Sequence, residues 1–391
     1  MRIRYLLLHA YGLGGTIRTV VNQANAMAAA GHSVEIVSVV RRRESVAFPL
    51  DPRVTLSTLV DQRAGRLPDS VARRAWRRVR GRMVPVGEFA AGYFTERVER
   101  AVMEYVAGLD DGVLVTTRPA LNLISARRGS RRVVRIAQEH MNLTAYREPV
   151  RREILRHYGR LDAVAVLTGA TRDEYRSALP RTPVVRIPNA VHTVETTHSR
   201  HERPVVLAAG RLVRQKGFDL LIPAFGAATE RHREWELRIF GTGPRRERLA
   251  ALVEEHGLRG RVRLMGRTSS LGAEMAGASV FALSSRFEGL PMVMIEAMSH
   301  ALPVAAFDCP TGPAEVLTDG SDGLLVPPED VSGLAAALER LMGDVSLRSR
   351  MGTAAAETAR SYAPDRVMPL WEDLFAELLA GERVTDGYWP D

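Results

Sequence analysis

The chain has 391 residues, enough for two domains with separate cores, and its 46% hydrophobic and 25% charged residues are the balance of a globular protein rather than a disordered one. The single cysteine, Cys309, excludes an internal disulfide, and no apolar run reaches the roughly 18–20 residues a membrane span needs, so a cytoplasmic protein is expected. The net charge of +9 is uneven: residues 1–200 hold 33 Arg against 18 acidic residues (+15), while residues 201–391 come to −6, which points the first half toward an anionic partner.

Tyr5–His9 is expected to be a first buried strand rather than a signal peptide, because its apolar run is short and glycine-rich turn residues follow. Gly12-Leu13-Gly14-Gly15-Thr16 then opens a helix over Thr16–Ala30. Glycines there allow backbone to approach an anion, and the helix N-terminus supplies free N–H groups. The spacing lacks the third glycine of a dinucleotide fingerprint and the Gly-Lys-Ser/Thr of a P-loop, and such turns also occur for packing alone. Strands follow at Val34–Val39, Val113–Thr116, Val133–Ala137, Ala163–Leu167 and Val184–Ile187. Helical patterns fall at 69–107, Val150–Gly159 and Thr171–Ala178. The strands are unbroken apolar runs, the signature of a parallel sheet covered on both faces.

Within the long helical pattern, Arg73, Arg74, Arg77, Arg78 and Arg80 surround Trp76. A basic amphipathic helix of this kind suits an anionic membrane surface or a polyanionic acceptor, and equally a solvated face. No nucleic-acid motif accompanies the charge.

A stretch rich in Thr and His at 189–203 predicts an interdomain linker. The β/α rhythm then restarts. Strands are expected at Val205–Ala209, Glu236–Phe240, Val262–Met265, Val280–Leu283 and Val304–Ala306. Helices are expected at Phe218–Ala228, Arg245–His256, Met292–Ser299, Val331–Met342, Ser346–Ser361 and Asp365–Leu379. This predicts an α/β protein of two Rossmann-like domains across a cleft, residues 1–188 and 204–362, with a C-terminal helix and tail, 363–391, packing back toward the first.

The second half carries the sharper chemistry. Lys216 is the only lysine; the other 53 basic residues are arginine. It lies in Gly210-Arg211-Leu212-Val213-Arg214-Gln215-Lys216-Gly217, just after a strand. Arg211 and Lys216 could both reach one diphosphate, Lys as a compact point charge and Arg as a wide fork, although the pair also fits a solvated basic turn. Further on, Ser285-Arg286-Phe287-Glu288-Gly289-Leu290-Pro291 leads into the apolar helix Met292–Met298. Pro291 is placed where a first helical turn tolerates proline. Glu296 falls inside that apolar helix, where a carboxylate is costly unless it is paired or binds something.

These motifs resemble those of the family 4 glycosyltransferases of GT-B fold. Glu288 through Glu296 matches the Glu-x7-Glu motif, and Gly210-Arg211-Leu212 with Lys216-Gly217 matches a second signature. Gly12–Thr16, Pro188-Asn189, Gly241-Thr242-Gly243-Pro244 and Asp322–Val326 fall at family turns. The resemblance implies a retaining, metal-independent transferase with no cofactor and no metal ligands. Arg211 and Lys216, with Gly14, Gly15 and the backbone of Gly289 and Leu290, would hold the donor diphosphate. Glu296 would bind the ribose, the main chain near Arg267 the base, and Glu288 the donor sugar. His140, in Gln138-Glu139-His140, would stand near the anomeric centre, and Glu139 is a weaker acid/base candidate. The loop Asp308–Glu315 resembles that of members using UDP-hexoses or UDP-N-acetylhexosamines. The implied partners are a UDP-sugar, a lipid-linked or anionic polymeric cell-envelope acceptor and peripherally an anionic membrane, but no nucleic acid. The absence of any Asp-x-Asp agrees with metal independence. Two alternatives stay open: a UDP-sugar 2-epimerase-like enzyme, and a non-catalytic module binding sugar nucleotides or nucleic acid.

Overall fold

The computed structural model describes residues 1–65, 70–72, 75, 82–191, 197–382, 384, 388 and 389. It divides into two compact units, one of Met1–Ala190 with Pro364–Asp391 and one of Val191–Ala363. Each is an α/β unit built on an all-parallel sheet.

The first sheet contains β1 (Arg2–Leu7), β2 (Ser33–Arg41), β3 (Thr55–Asp61), β4 (Val113–Thr116), β5 (Val134–Gln138), β6 (Ala163–Val166) and β7 (Val184–Arg186). Its order is β3-β2-β1-β4-β5-β6-β7. The central strands are short, wholly buried apolar runs, as helices on both faces require. The first strand begins three residues earlier than the apolar run does. Arg4 is tolerated in it because its guanidinium donates to the Asp111 carbonyl at 2.7 Å and to Asp111 Oδ1 at 2.9 Å. His9 consequently lies beyond the strand, in the loop.

The expected 69–107 helix is corrected. Regular α-helix is found over Glu96–Ala107, started by the Thr95 hydroxyl accepting from the Val98 amide. Residues 82–90 are irregular, with Met83 and Val84 buried but Val86 and Phe89 exposed. Several elements escaped the sequence pattern, strand Gly323–Val326 and the short helix Pro313–Val316 of the second unit among them. β3 is a half-buried edge strand. Helix Pro119–Arg128 is buried on every side from Pro119 to Ala126, so it has no polar face to give it a period. Helix Leu271–Ala276 is a turn and a half long.

The second sheet contains β8 (Val205–Ala209), β9 (Glu236–Phe240), β10 (Val262–Gly266), β11 (Val280–Leu283), β12 (Val304–Phe307) and β13 (Gly323–Val326), in the order β10-β9-β8-β11-β12-β13. The 189–203 linker is corrected at its end. Ser199 and His201 are buried, with the Ser199 amide donating to the His300 carbonyl at 2.8 Å and the His201 backbone carbonyl accepting from Arg348 at 3.3 Å, so this stretch is part of the second unit.

The C-terminal helix Pro364–Ala380 belongs to the first unit. Val367, Met368, Trp371, Leu374 and Phe375 recur at helical spacing and are buried in the same core as Ile3, Tyr5, Val20 and Ile136. Burying side chains of this size stabilises by about 1.5–3 kcal/mol each, which explains why the chain's last helix returns to its first sheet.

Candidate active site

In the second unit the strand order reverses between β8 and β11, so the loops leaving their carboxyl ends flank a crevice of the kind where open α/β sheets bind ligands. Lys216 lies on the first loop and Glu288 on the second. Lys216 Nζ donates to Glu288 Oε1 at 2.6 Å, and Ser285 Oγ donates to the same oxygen at 2.5 Å. Both side chains are largely shielded, 16% and 7% exposed. Glu288 Oε2 has no hydrogen-bond partner among the described residues.

Local sequence dictates this arrangement. The Lys216 methylenes run over Gly210, where a Cβ would stand 3.2 Å from three of them. Gly217, at φ 62°, turns the chain into helix Phe218–Ala228, and a Cβ there would fall 1.8 Å from the Ser284 carbonyl oxygen. Ser284 Oγ donates back to the Lys216 carbonyl at 3.0 Å. Arg286 staples the two loops. Its guanidinium donates to both Asp219 oxygens at 3.0 Å, to Glu329 at 3.0 Å and to the Arg214 carbonyl at 2.8 Å. On the far side the Glu288 amide donates to the Pro310 carbonyl at 3.0 Å, and Thr311 Oγ1 donates to the Glu288 carbonyl at 3.1 Å.

The other expected residues of this unit take varied places. Arg211 is exposed on the loop that carries Lys216, with no ion-pair partner among the described residues. Gly289 and Leu290 continue from Glu288, Leu290 being buried. Glu296 is half-buried in helix Met292–Ser299. Arg267 is exposed just after the edge strand β10, two strands from β8. The structure thus brings Lys216 and Glu288 into contact and leaves Arg267 at the sheet edge.

In the first unit the order reverses between β1 and β4. Gly14 and Gly15 start helix Gly15–Ala29, whose first turn has no side-chain cap and no acidic residue. Packing alone does not require them: a Cβ on Gly15 would meet nothing within 4 Å, whereas one on Gly12 would strike the His9 ring at 2.1 Å. His140 is partly buried in the loop after β5. Burial and then the Arg118 charge push its pKa down to about 4, so the ring is neutral, and its Nε2 is buried without a hydrogen-bond partner among the described residues.

Glu139 is not open to an acceptor, which corrects its reading as an acid or base. It is 1% exposed, with Tyr158 and Asn122 donating to Oε1 at 2.5 and 2.7 Å and Tyr146 to Oε2 at 2.7 Å. Burial raises its pKa to about 7 against those three hydrogen bonds. Its effect is to anchor the loop that carries His140. Sequence reasoning missed Arg118 and its buried partner Glu88, 3.2 Å apart. The available signal was position, since Arg118 sits between the end of β4 and the helix opened by Pro119.

Arg73, Arg74, Trp76, Arg77, Arg78 and Arg80 lie outside the described residues. Among the described residues no group of three His, Cys, Asp or Glu side chains is placed to hold a metal ion, and no helix is long and apolar enough to cross a membrane.

The family described as "Glycosyl transferases group 1" matches residues 194–358. An exopolysaccharide phosphotransferase of Streptomyces coelicolor is 35% identical over 97% of this chain, which spans only 41% of that protein's length. A GDP-mannose-dependent alpha-(1-6)-phosphatidylinositol monomannoside mannosyltransferase of Mycolicibacterium smegmatis is 31% identical, over 67% of this chain and 74% of its own. Among solved structures, the fold is shared with S. aureus TarM in complex with fondaparinux, alpha-GlcNAc-glycerol and UDP, at a TM-score of 0.77 and 15% identity, covering 96% of this chain and 99% of that one.

Proposed function

The chain belongs to the glycosyl transferases of group 1, and from that premise we propose that it is a family 4, retaining glycosyltransferase that works without a metal. It moves a hexose or N-acetylhexosamine from a nucleoside-diphosphate sugar, with UDP as the nucleotide, to a lipid-linked or polymeric cell-envelope acceptor. The observation that carries this reading is the Lys216–Glu288 pair fixed at the switch point of the second sheet.

Cleaving a sugar–phosphate bond leaves a diphosphate on which negative charge grows. Lys216, with exposed Arg211 and the Gly289–Leu290 amides, supplies fixed positive charge and donors for it without reorganising during the reaction. Glu288 shares one oxygen with Lys216 and Ser285 and offers Oε2 to a hydroxyl of the donor sugar. Glu296 takes the ribose hydroxyls, and backbone near Arg267 takes the base. The leaving phosphate receives the acceptor proton, so no side-chain nucleophile is needed. Neutral His140 accepts a hydrogen bond from the donor sugar through a ring nitrogen. The loop Asp308–Glu315 supports UDP by its resemblance to UDP-sugar users, and the names of the relatives support an envelope glycan as acceptor. The enzyme works on the cytoplasmic side, at the inner face of the membrane.

The test is to screen UDP-, GDP- and ADP-sugars for release of the nucleoside diphosphate, with and without membrane lipid extract. Release from a UDP-sugar that rises with extract is expected. No turnover of any donor under either condition would sink the reading.

A further inference from the structure

The first unit carries a second cationic cluster that the donor chemistry does not use. It stands on the loops that leave β2, β1 and β4, three neighbouring strands, at their carboxyl ends. The loop after β2 is curled by Arg41, whose guanidinium donates to the Arg43 carbonyl at 3.2 Å and the Glu44 carbonyl at 2.7 Å and lies over the Tyr11 ring at 4.9 Å. Arg42 is oriented by a neutral partner: its Nε and Nη2 donate to Gln62 Oε1 at 3.0 and 2.9 Å, and its guanidinium lies 4.1 Å over the Tyr93 ring. Neither Arg42 nor Arg43 has a carboxylate partner among the described residues. On the β4 loop Arg118 is held from behind by buried Glu88. Between these loops, on the one leaving β1, lies His9, whose ring fills the space that a Gly12 side chain would need. Burial, then the charges of Arg118, Arg42 and Arg43, hold the His9 ring below the ordinary imidazole pKa, in keeping with the three loops leaving neighbouring strands.

Arg42 and Arg43 bring to this loop two guanidinium charges that no carboxylate among the described residues neutralises, and an anion would complete the set. We propose that His9, Arg42, Arg43 and Arg118 form an acceptor-side site for a phosphate monoester or diester, in addition to the donor diphosphate site of the second unit. The proposal rests on the glycosyltransferase reading for its meaning, since the phosphate would belong to the acceptor. Guanidinium forks suit phosphate oxygens through paired N–H donors, which a lone lysine does not. The phosphate can come from a lipid headgroup or from a soluble phosphorylated glycan.

The experiment uses the full chain, as wild type, Arg43→Gln and Arg42→Gln/Arg43→Gln, each checked by thermal melting against the wild type. Inorganic phosphate is titrated while the His9 ring is followed by NMR, and sedimentation with phosphatidylglycerol vesicles is measured in parallel. In the wild type, phosphate is expected to raise the His9 pKa, because it neutralises the arginines that repel the imidazolium. The double variant should weaken phosphate or vesicle binding at least tenfold, with Arg43→Gln, an exposed and fold-neutral change, giving part of that loss. Loss confined to vesicles identifies a headgroup, and loss with free phosphate a soluble ester. Equal binding by wild type and both variants with both probes overturns the site. Donor turnover is assayed separately on the wild type, so a failure of the glycosyltransferase reading would appear there and not in the phosphate titration.

Discussion

The Lys216 ammonium and the Glu288 carboxylate lie 2.6 Å apart although 72 residues separate them in the chain. Each sits on a loop that leaves one of the two strands flanking the sheet's switch point, and Ser285 and Gly210 constrain them further. The contact requires a compact cation at the end of a thin stem, since the stem passes within van der Waals reach of Gly210.

Lys216→Arg should therefore lower kcat/KM for the donor at least tenfold, about 1.4 kcal/mol or more in the barrier, because a planar fork cannot follow the same path to Glu288. Steady-state release of the nucleoside diphosphate measures it. Wild-type rates would show that the site needs charge but not an ammonium.

Gly217→Ala places a methyl 1.8 Å from the Ser284 carbonyl in a left-handed backbone. A loss of about 2 kcal/mol or more from the second unit is expected in urea denaturation. Gly15→Ala is the comparison, at a site with open space around it, and should change stability by less than about 1 kcal/mol. Equal effects of the two would mean that the 217 turn relaxes freely.

Glu139 titrates near 7 in the folded chain against 4.5 as an ordinary carboxyl, so the folded state binds the extra proton between those values. Its contribution to stability accordingly falls as pH rises from about 4.5 to about 7. Glu139→Gln, which cannot ionise, should flatten this part of the stability profile measured by denaturation at pH 5 and pH 7.5. An unchanged slope would assign the dependence to other groups.

His140 is neutral down to about pH 4, well below the ordinary 6.5. A protonation of this ring should thus cut kcat/KM only near pH 4, and an NMR titration of the ring should place its midpoint there. Replacing the Glu88–Arg118 pair by Gln at both positions removes the repelling guanidinium together with its counter-charge. The His140 midpoint should move upward by part of the gap, burial being the larger cause. A wild-type midpoint near 6.5 would remove the case for a neutral ring.

The helices and strands that carry periodic or unbroken apolar runs were legible in the sequence, and so were Gly210, Lys216, Gly217 and Glu288, because glycines at a strand-to-helix turn and a proline at a helix start have fixed local meaning. Helix Pro119–Arg128 was not legible, since complete burial erases the polar face that reveals a period. The irregular 82–90 stretch was overwritten by the charged helical patterns on either side. Arg118, Glu88 and His9 escaped because no motif marks them; their roles come from strands β1, β2 and β4 lying side by side.

The sequence by itself determined two β/α units, the glycosyltransferase resemblance and the loops proposed to carry the donor chemistry, because turn residues and apolar runs act over a few neighbours. Only the tertiary structure decided which charges meet. It paired Lys216 with Glu288, sealed Glu139 inside a cage of two tyrosines and an asparagine, and left Arg42 and Arg43 without a carboxylate among the described residues. Those outcomes depend on burial and on distances between residues remote in the chain, and electrostatic energy is set by both.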